Sequence, residues 1–84
     1  MRFTLLSRAY CHLCDEMADA LAAALPDAQV QMIDVDAHPA LEERFGDAVP
    51  VLFAGDAETG REVCRHRMDA AALARILAEG GKIR

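Results

Sequence analysis

Two cysteines three positions apart are the residues of this chain best suited to covalent chemistry. The segment reads Cys11-His12-Leu13-Cys14; it follows an apolar, strand-like run and opens a helix-like run. The first sulfur would sit where helix N–H groups are unpaired and the helix dipole is positive, which favours a thiolate. The second would lie within reach of a mixed disulfide formed on the first. The spacing and placement therefore predict a dithiol redox site, with Cys11 as the nucleophile and Cys14 as the resolving thiol.

Length and composition limit what else the chain can be. Its 84 residues indicate one domain, residues 1–84, with one modest core. A formal net charge of −5 and the absence of a long basic run argue against a nucleic-acid partner. We see no apolar run that could span a bilayer and no signal peptide, and we expect no membrane partner. We therefore expect a cytoplasmic monomer, in a compartment where paired cysteines are more often catalytic or metal-binding than structural.

The hydrophobic pattern predicts seven elements in the order β-α-β-α-β-β-α. A crossover helix should make the first two strands parallel, and a turn rich in glycine should make the last two an antiparallel hairpin. The fold class is therefore α/β, with a four-stranded mixed sheet flanked by helices on both faces. The predicted elements are a strand over Met1–Ser7, a helix over His12–Leu25, a strand over Gln29–Val35, a helix over Pro39–Phe45 capped by Gly46, a strand over Ala48–Phe53, a strand over Arg61–His66, and a helix capped by Asp69 and ended by Gly80-Gly81.

This element order, the cysteine pair after the first strand and Val49-Pro50 before the third resemble the glutaredoxin branch of the thioredoxin superfamily over nearly the whole chain. The pattern from Cys11 to Asp15 is similar to the C-x-L-C-(D/E) motif of small bacterial glutaredoxin-like proteins. The resemblance implies a thioredoxin-like, glutaredoxin-type fold and thiol–disulfide oxidoreductase activity in cell redox homeostasis. It implies no tightly bound cofactor, with glutathione as a candidate co-substrate. It also implies that Pro50 is cis and that the backbone of Val49 contacts the bound thiol substrate.

The same resemblance suggests further substrate-binding residues. Many glutaredoxins carry a lysine near the position of Arg8 that contacts a glutathione carboxylate, although Arg8 could instead be a solvated loop residue. Tyr10 could wall the thiol groove or be a packing residue. Asp69 matches the aspartate of the family's Gly-Gly-x-Asp element, but His66 and Arg67 replace the two glycines. The substrate is therefore either a glutathione mixed disulfide in a reshaped site or a disulfide-bearing protein.

Two other functions stay open from the sequence. Cys11, Cys14, Cys64 and His66 could supply a zinc or iron–sulfur ligand set, since Cys64 and His66 would share one face of a strand. The commoner role for a cysteine such as Cys64 is that of a small buried hydrophobe. Since the chain has one Cys-x-x-Cys pair and no second close-spaced pair, we expect no bound metal. The chain could also be a non-catalytic interaction domain with the same fold.

Overall fold

A computed structural model describes residues 1–79, and within them the elements follow the predicted order. A short 3₁₀ turn, Val35–Ala37, lies between the second strand and the second helix. The predicted helix stop at Gly80-Gly81 lies outside the described residues. The elements are β1 (Arg2–Ser7), α1 (His12–Ala24), β2 (Gln29–Asp34), α2 (Pro39–Phe45), β3 (Val51–Ala54), β4 (Arg61–Arg65) and α3 (Ala70–Ala78).

The strands form one mixed sheet in the order β2-β1-β3-β4. The crossover through α1 makes β1 and β2 parallel, whereas β3 runs antiparallel to both β1 and β4. Leu6 pairs with Val51, and Val51 pairs with Arg65. The end of β1, the start of β3 and the end of β4 therefore meet at one edge of the sheet, and the loops that follow or precede them are brought together there.

Two apolar clusters pack on opposite faces of this sheet, because alternate residues of β1 and β3 point to opposite sides. The larger cluster joins the sheet to α1 and α3, and the smaller joins it to α2, which confirms helices on both faces. The larger contains Phe3, Leu5, Met17, Leu21, Leu52, Ala54, Val63, Ala72, Leu73 and Ile76. The smaller contains Leu6, Val35, Phe45, Ala48, Val51 and Phe53. None of the helices within residues 1–79 is long and apolar enough to cross a membrane.

Five predicted strand ends differ from the observed ones. Two differ by a single residue, since β1 begins at Arg2 instead of Met1 and β3 ends at Ala54 instead of Phe53. Val35 leaves β2 for the 3₁₀ turn, where it is buried in the smaller cluster. The third strand begins at Val51, after Pro50. The fourth ends at Arg65, because His66 has a left-handed backbone with φ 69° that turns the chain out of the strand. His66 therefore lies outside the strand, and strand alternation does not place it on the same face as Cys64.

Candidate dithiol site

Cys11 and Cys14 occupy the first turn of α1 in different environments. Cys11 is the N-cap, and its Sγ accepts a hydrogen bond from the Cys14 backbone N–H at 3.2 Å. The two residues form a disulfide, with Cα atoms 5.2 Å apart. Cys14 is 1% exposed, whereas Cys11 is only half-buried. Because an N–H donor and a helix N-terminus stabilise negative charge on sulfur, this geometry suits a reversible dithiol in which Cys11 is the accessible thiolate.

The segment before β3 lies at the same edge of the sheet. The Val49–Pro50 peptide bond is cis, and Pro50 is fully buried. The carbonyl oxygen of Pro50 accepts a hydrogen bond from the His66 backbone N–H at 2.7 Å, which ties the start of β3 to the loop between β4 and α3. Val49 is half-buried against the smaller apolar cluster. Contact between the Val49 backbone and a substrate stays a prediction.

Tyr10 and His66 both adopt a left-handed backbone at this edge, with φ of 59° and 69°. This region is uncommon for residues other than glycine, and strained backbone of this kind concentrates at functional sites. The Tyr10 side chain is fully exposed immediately before Cys11. Tyr10 is therefore not a packing residue of the core, and its role as a wall of the thiol groove stays a prediction.

Arg8 is already paired within the fold. Its guanidinium donates two hydrogen bonds to the Asp36 carboxylate, at 2.8 and 3.2 Å, and one to the Gly46 carbonyl at 3.1 Å. Its Nη2 also lies 3.6 Å from a carboxylate oxygen of Glu42. The hydrogen bonds from Arg8 lower the pKa of Asp36 below its ordinary value. Arg8 is thus not a freely solvated loop residue, and a substrate carboxylate would have to compete with Asp36 for it.

Asp69 and Cys64 lie where β4 leads into α3. The Asp69 side chain caps α3, its Oδ1 accepting a hydrogen bond from the Ala72 N–H at 3.0 Å. Cys64 packs partly buried against the larger apolar cluster. Burial raises the pKa of the Cys64 thiol, and a hydrogen bond donated to its sulfur by the Asp69 backbone opposes this only in part. The environment of Cys64 is that of a small, unreactive hydrophobe.

The described residues do not assemble the ligand set considered for a metal. Within residues 1–79, no three His, Cys, Asp or Glu side chains are grouped to hold an ion. The arrangement of Cys11, Cys14, Cys64 and His66 therefore gives no support to the zinc or iron–sulfur alternative.

A cavity next to the dithiol was not anticipated from the sequence. It encloses about 300 Å³ between α1 and the loop that joins β4 to α3. The α1 residues that line the cavity recur at helical spacing, so this face of α1 could have been identified from the sequence. The opposite wall of the cavity depends on the tertiary fold. The cavity is lined by Leu13, Glu16, Met17, Ala20, His66, Arg67 and Met68.

Comparison with known proteins places this geometry in context. Residues 2–78 match the family described as Glutaredoxin-like domain (DUF836). No curated protein matches the chain. A structural-genomics target protein from X. campestris is 37% identical, with a TM-score of 0.73, over 90% of this chain and 95% of that one. A protein from Nitrosomonas europaea, solved by NMR, is 28% identical, with a TM-score of 0.75, over 88% of this chain and 87% of that one.

The wider fold is that of thioredoxin. Thioredoxin 1 from Thermosipho africanus is 19% identical, with a TM-score of 0.61, over 96% of this chain and 99% of that one. At this identity the likeness shows the fold alone. It agrees with the four-stranded mixed sheet and with the order β-α-β-α-β-β-α found here.

Proposed function

Because this chain belongs to the glutaredoxin-like domain family, we propose that it is a thiol–disulfide oxidoreductase that works through Cys11 and Cys14. The observation that carries the proposal is the asymmetry of the pair at the start of α1. Cys11 is accessible and its sulfur accepts an N–H hydrogen bond, whereas Cys14 is buried beside it. An accessible thiolate with a buried partner at disulfide distance is the arrangement that attack and resolution require.

The proposed reaction moves two electrons from the dithiol to a substrate disulfide. The Cys11 thiolate attacks one substrate sulfur, forming a mixed disulfide and expelling the other sulfur as a thiolate, which takes up a proton. Cys14 then loses its proton and attacks the Cys11 sulfur. The Cys11–Cys14 disulfide forms, and the second substrate thiol leaves. The dithiol is oxidised and the substrate disulfide is reduced to two thiols.

Return to the dithiol needs an external thiol reductant. We propose glutathione as that reductant, two molecules giving up one electron each and leaving as glutathione disulfide. The substrates are a disulfide-bearing protein or a glutathione mixed disulfide, handled by the monomer in a reducing compartment such as the cytoplasm, where exposed dithiols stay available. The proposal needs no metal. Its candidate substrate contacts are Arg8, Tyr10, Val49, Pro50 and Asp69.

The test is a glutathione-coupled reduction assay on a small mixed disulfide. We expect wild type to reduce it and Cys11→Ser to lose activity, because no nucleophile remains. Incubated with the substrate in the absence of glutathione, Cys14→Ser should accumulate a covalent mixed disulfide, visible by mass spectrometry, because the first attack survives and no second thiol is present to resolve it. Cys64→Ser is the matched control, since it removes a thiol outside the pair, and it should keep wild-type activity.

The outcomes separate the chemistry from the reductant. An active Cys11→Ser variant would overturn the role of Cys11. Wild type that shows no glutathione-coupled activity, but whose reduced form still reduces a disulfide once and becomes Cys11–Cys14 oxidised, would retain the dithiol chemistry and exclude glutathione. Failure of that single turnover would overturn the proposed function.

A further inference from the structure

The cavity beside the dithiol has two walls of opposite charge over an apolar floor. We propose that it is a docking groove for an acidic, extended segment of a protein substrate, with Arg67 binding a carboxylate of that segment. This inference rests on the proposed redox function and specifies the substrate class. It is carried by the placement of the groove, the fixed floor and the charges on its two walls.

The floor of the groove is anchored in the core. Met17 is 1% exposed and belongs to the larger apolar cluster, against which the half-buried Met68 also packs. Leu13 and Ala20 are half-buried beside them on α1. An apolar surface held by core residues, with flexible methionine side chains, suits an apolar side chain of a bound segment.

The walls carry charges that the fold leaves unused. Arg67 on the loop wall and Glu16 on the α1 wall are both exposed, and neither forms an ion pair within residues 1–79. Four other arginines, Arg2, Arg8, Arg61 and Arg65, are each paired with a carboxylate, whereas Arg44 and Arg75 share with Arg67 the lack of an ion pair within residues 1–79 but lie outside the groove. A guanidinium with all its donors available binds a carboxylate in a bidentate manner. Glu16, on the wall opposite Arg67, would repel an acidic side chain of the bound segment. The acidic side of the segment would therefore face Arg67, which fixes its direction.

The length of the groove favours a polypeptide occupant. Leu13, which precedes Cys14 in the first turn of α1, lines the groove, so one end of the groove lies beside the dithiol. From Leu13 to Ala20 the α1 wall extends about 10 Å at ~1.5 Å per residue. An extended peptide spans that distance with about three residues, at ~3.3 Å each. A protein segment that places a carboxylate near Arg67 and an apolar side chain between Met17 and Met68 fits these dimensions.

The test uses cysteine peptides linked by a disulfide to thiopyridine, whose release reports attack by Cys11. The peptides are identical except for one residue near the cysteine, which is Glu, Gln or Lys. With reduced wild type we expect the Glu peptide to react on the order of fivefold faster than the Lys peptide, with the difference reduced by salt. Arg67→Glu should reverse this preference. Arg75→Glu makes the same charge change at an exposed α3 residue outside the groove and should preserve it.

A small neutral disulfide measures the intrinsic rate of the dithiol in each protein, and each peptide rate is divided by that rate before the proteins are compared. Equal rates for the Glu and Lys peptides with wild type, while the neutral disulfide is reduced, would overturn the groove and leave the dithiol function intact. An unchanged preference of Arg67→Glu for the Glu peptide would also overturn the groove and leave the dithiol function intact. Failure to react with every disulfide, including the neutral one, would overturn the redox function and the groove with it.

Discussion

Each thiol of this chain lies in a different environment, and the environments predict different reactivities. Cys11 is accessible and has an N–H donor on its sulfur, Cys14 is almost fully buried, and burial raises the pKa of Cys64. A raised pKa leaves less thiolate at neutral pH, and thiolate is the reactive form. After reduction, we therefore expect iodoacetamide to modify Cys11 first at pH 7, with Cys64 and Cys14 following more slowly.

Mass spectrometry of timed samples measures that order. The Cys64→Ser variant should show the same fast phase as wild type, whereas Cys11→Ser should lose it. If Cys64 were modified first, burial would not control the reactivity of its thiol, and the description of Cys64 as an unreactive hydrophobe would be contradicted.

The cysteine pair could be identified from the sequence because its chemistry depends on local spacing. The partners of Arg8 could not, because Asp36 is 28 positions away and is brought close only by the fold. The left-handed backbones of Tyr10 and His66 also have no local signal, since neither residue is glycine. The sequence therefore identified the pair of cysteines that forms the disulfide, but not the long-range contacts around it.

At the scale of elements, the predictable features are those set by neighbouring residues. Asp69 was expected to cap the last helix, and its side chain does so. Pro39 begins α2, and Gly46 is its C-cap. The strand ends at Val35 and His66 were missed because tertiary contacts decide them: Val35 is buried beneath α2, and the His66 N–H bonds to Pro50.

The cap of α3 gives a prediction on stability. Asp69→Ala should lower the free energy of unfolding by about 1 kcal/mol, because the Ala72 N–H loses its acceptor. Asp69→Ser should retain most of that stability, since serine is also a good cap. Urea unfolding measures both values. Asp19→Ala, which removes an exposed carboxylate inside α1, is the matched control and should change stability by no more than about 0.5 kcal/mol.

The same variants separate capping from substrate binding. If Asp69 also contacts substrate, as its position in the family pattern implies, Asp69→Ser should lower kcat/KM while remaining nearly as stable as wild type. Normal kcat/KM in Asp69→Ser would limit Asp69 to capping. Full stability of Asp69→Ala would contradict the cap itself.

For the molecule as a whole, topology was more predictable than surface chemistry. A helical crossover requires parallel strands, and a short glycine-containing turn requires antiparallel ones, so the mixed sheet follows from the element order. The side-by-side placement of the dithiol, Pro50 and His66 depends on register, which no local pattern of this chain specifies. The charge network centred on Arg8, which joins separate loops, depends on strand register as well.

The Arg8–Asp36 contact links the loop before the dithiol to the segment that follows β2, and it predicts how global stability depends on pH. Hydrogen bonds from Arg8 lower the pKa of Asp36 below its ordinary value of 3.8. The folded protein therefore holds the charged carboxylate more strongly than the unfolded chain does. This stabilisation is complete above the ordinary value and is lost as pH falls through the lower pKa of the folded state.

Asp36→Asn should accordingly be less stable than wild type at pH 7, and the difference should shrink as pH falls below the ordinary pKa of the carboxyl and through the lower pKa of the folded state. Arg8 stays charged throughout this range, because its own pKa is raised from an already high value. Urea unfolding at a series of pH values measures the difference directly. Asp19 forms no ion pair within residues 1–79, so Asp19→Asn is the control and should show no such pH-dependent difference from wild type. A deficit of Asp36→Asn that grew towards low pH would mean that the carboxyl is held in its neutral form, and the pairing with Arg8 would be contradicted.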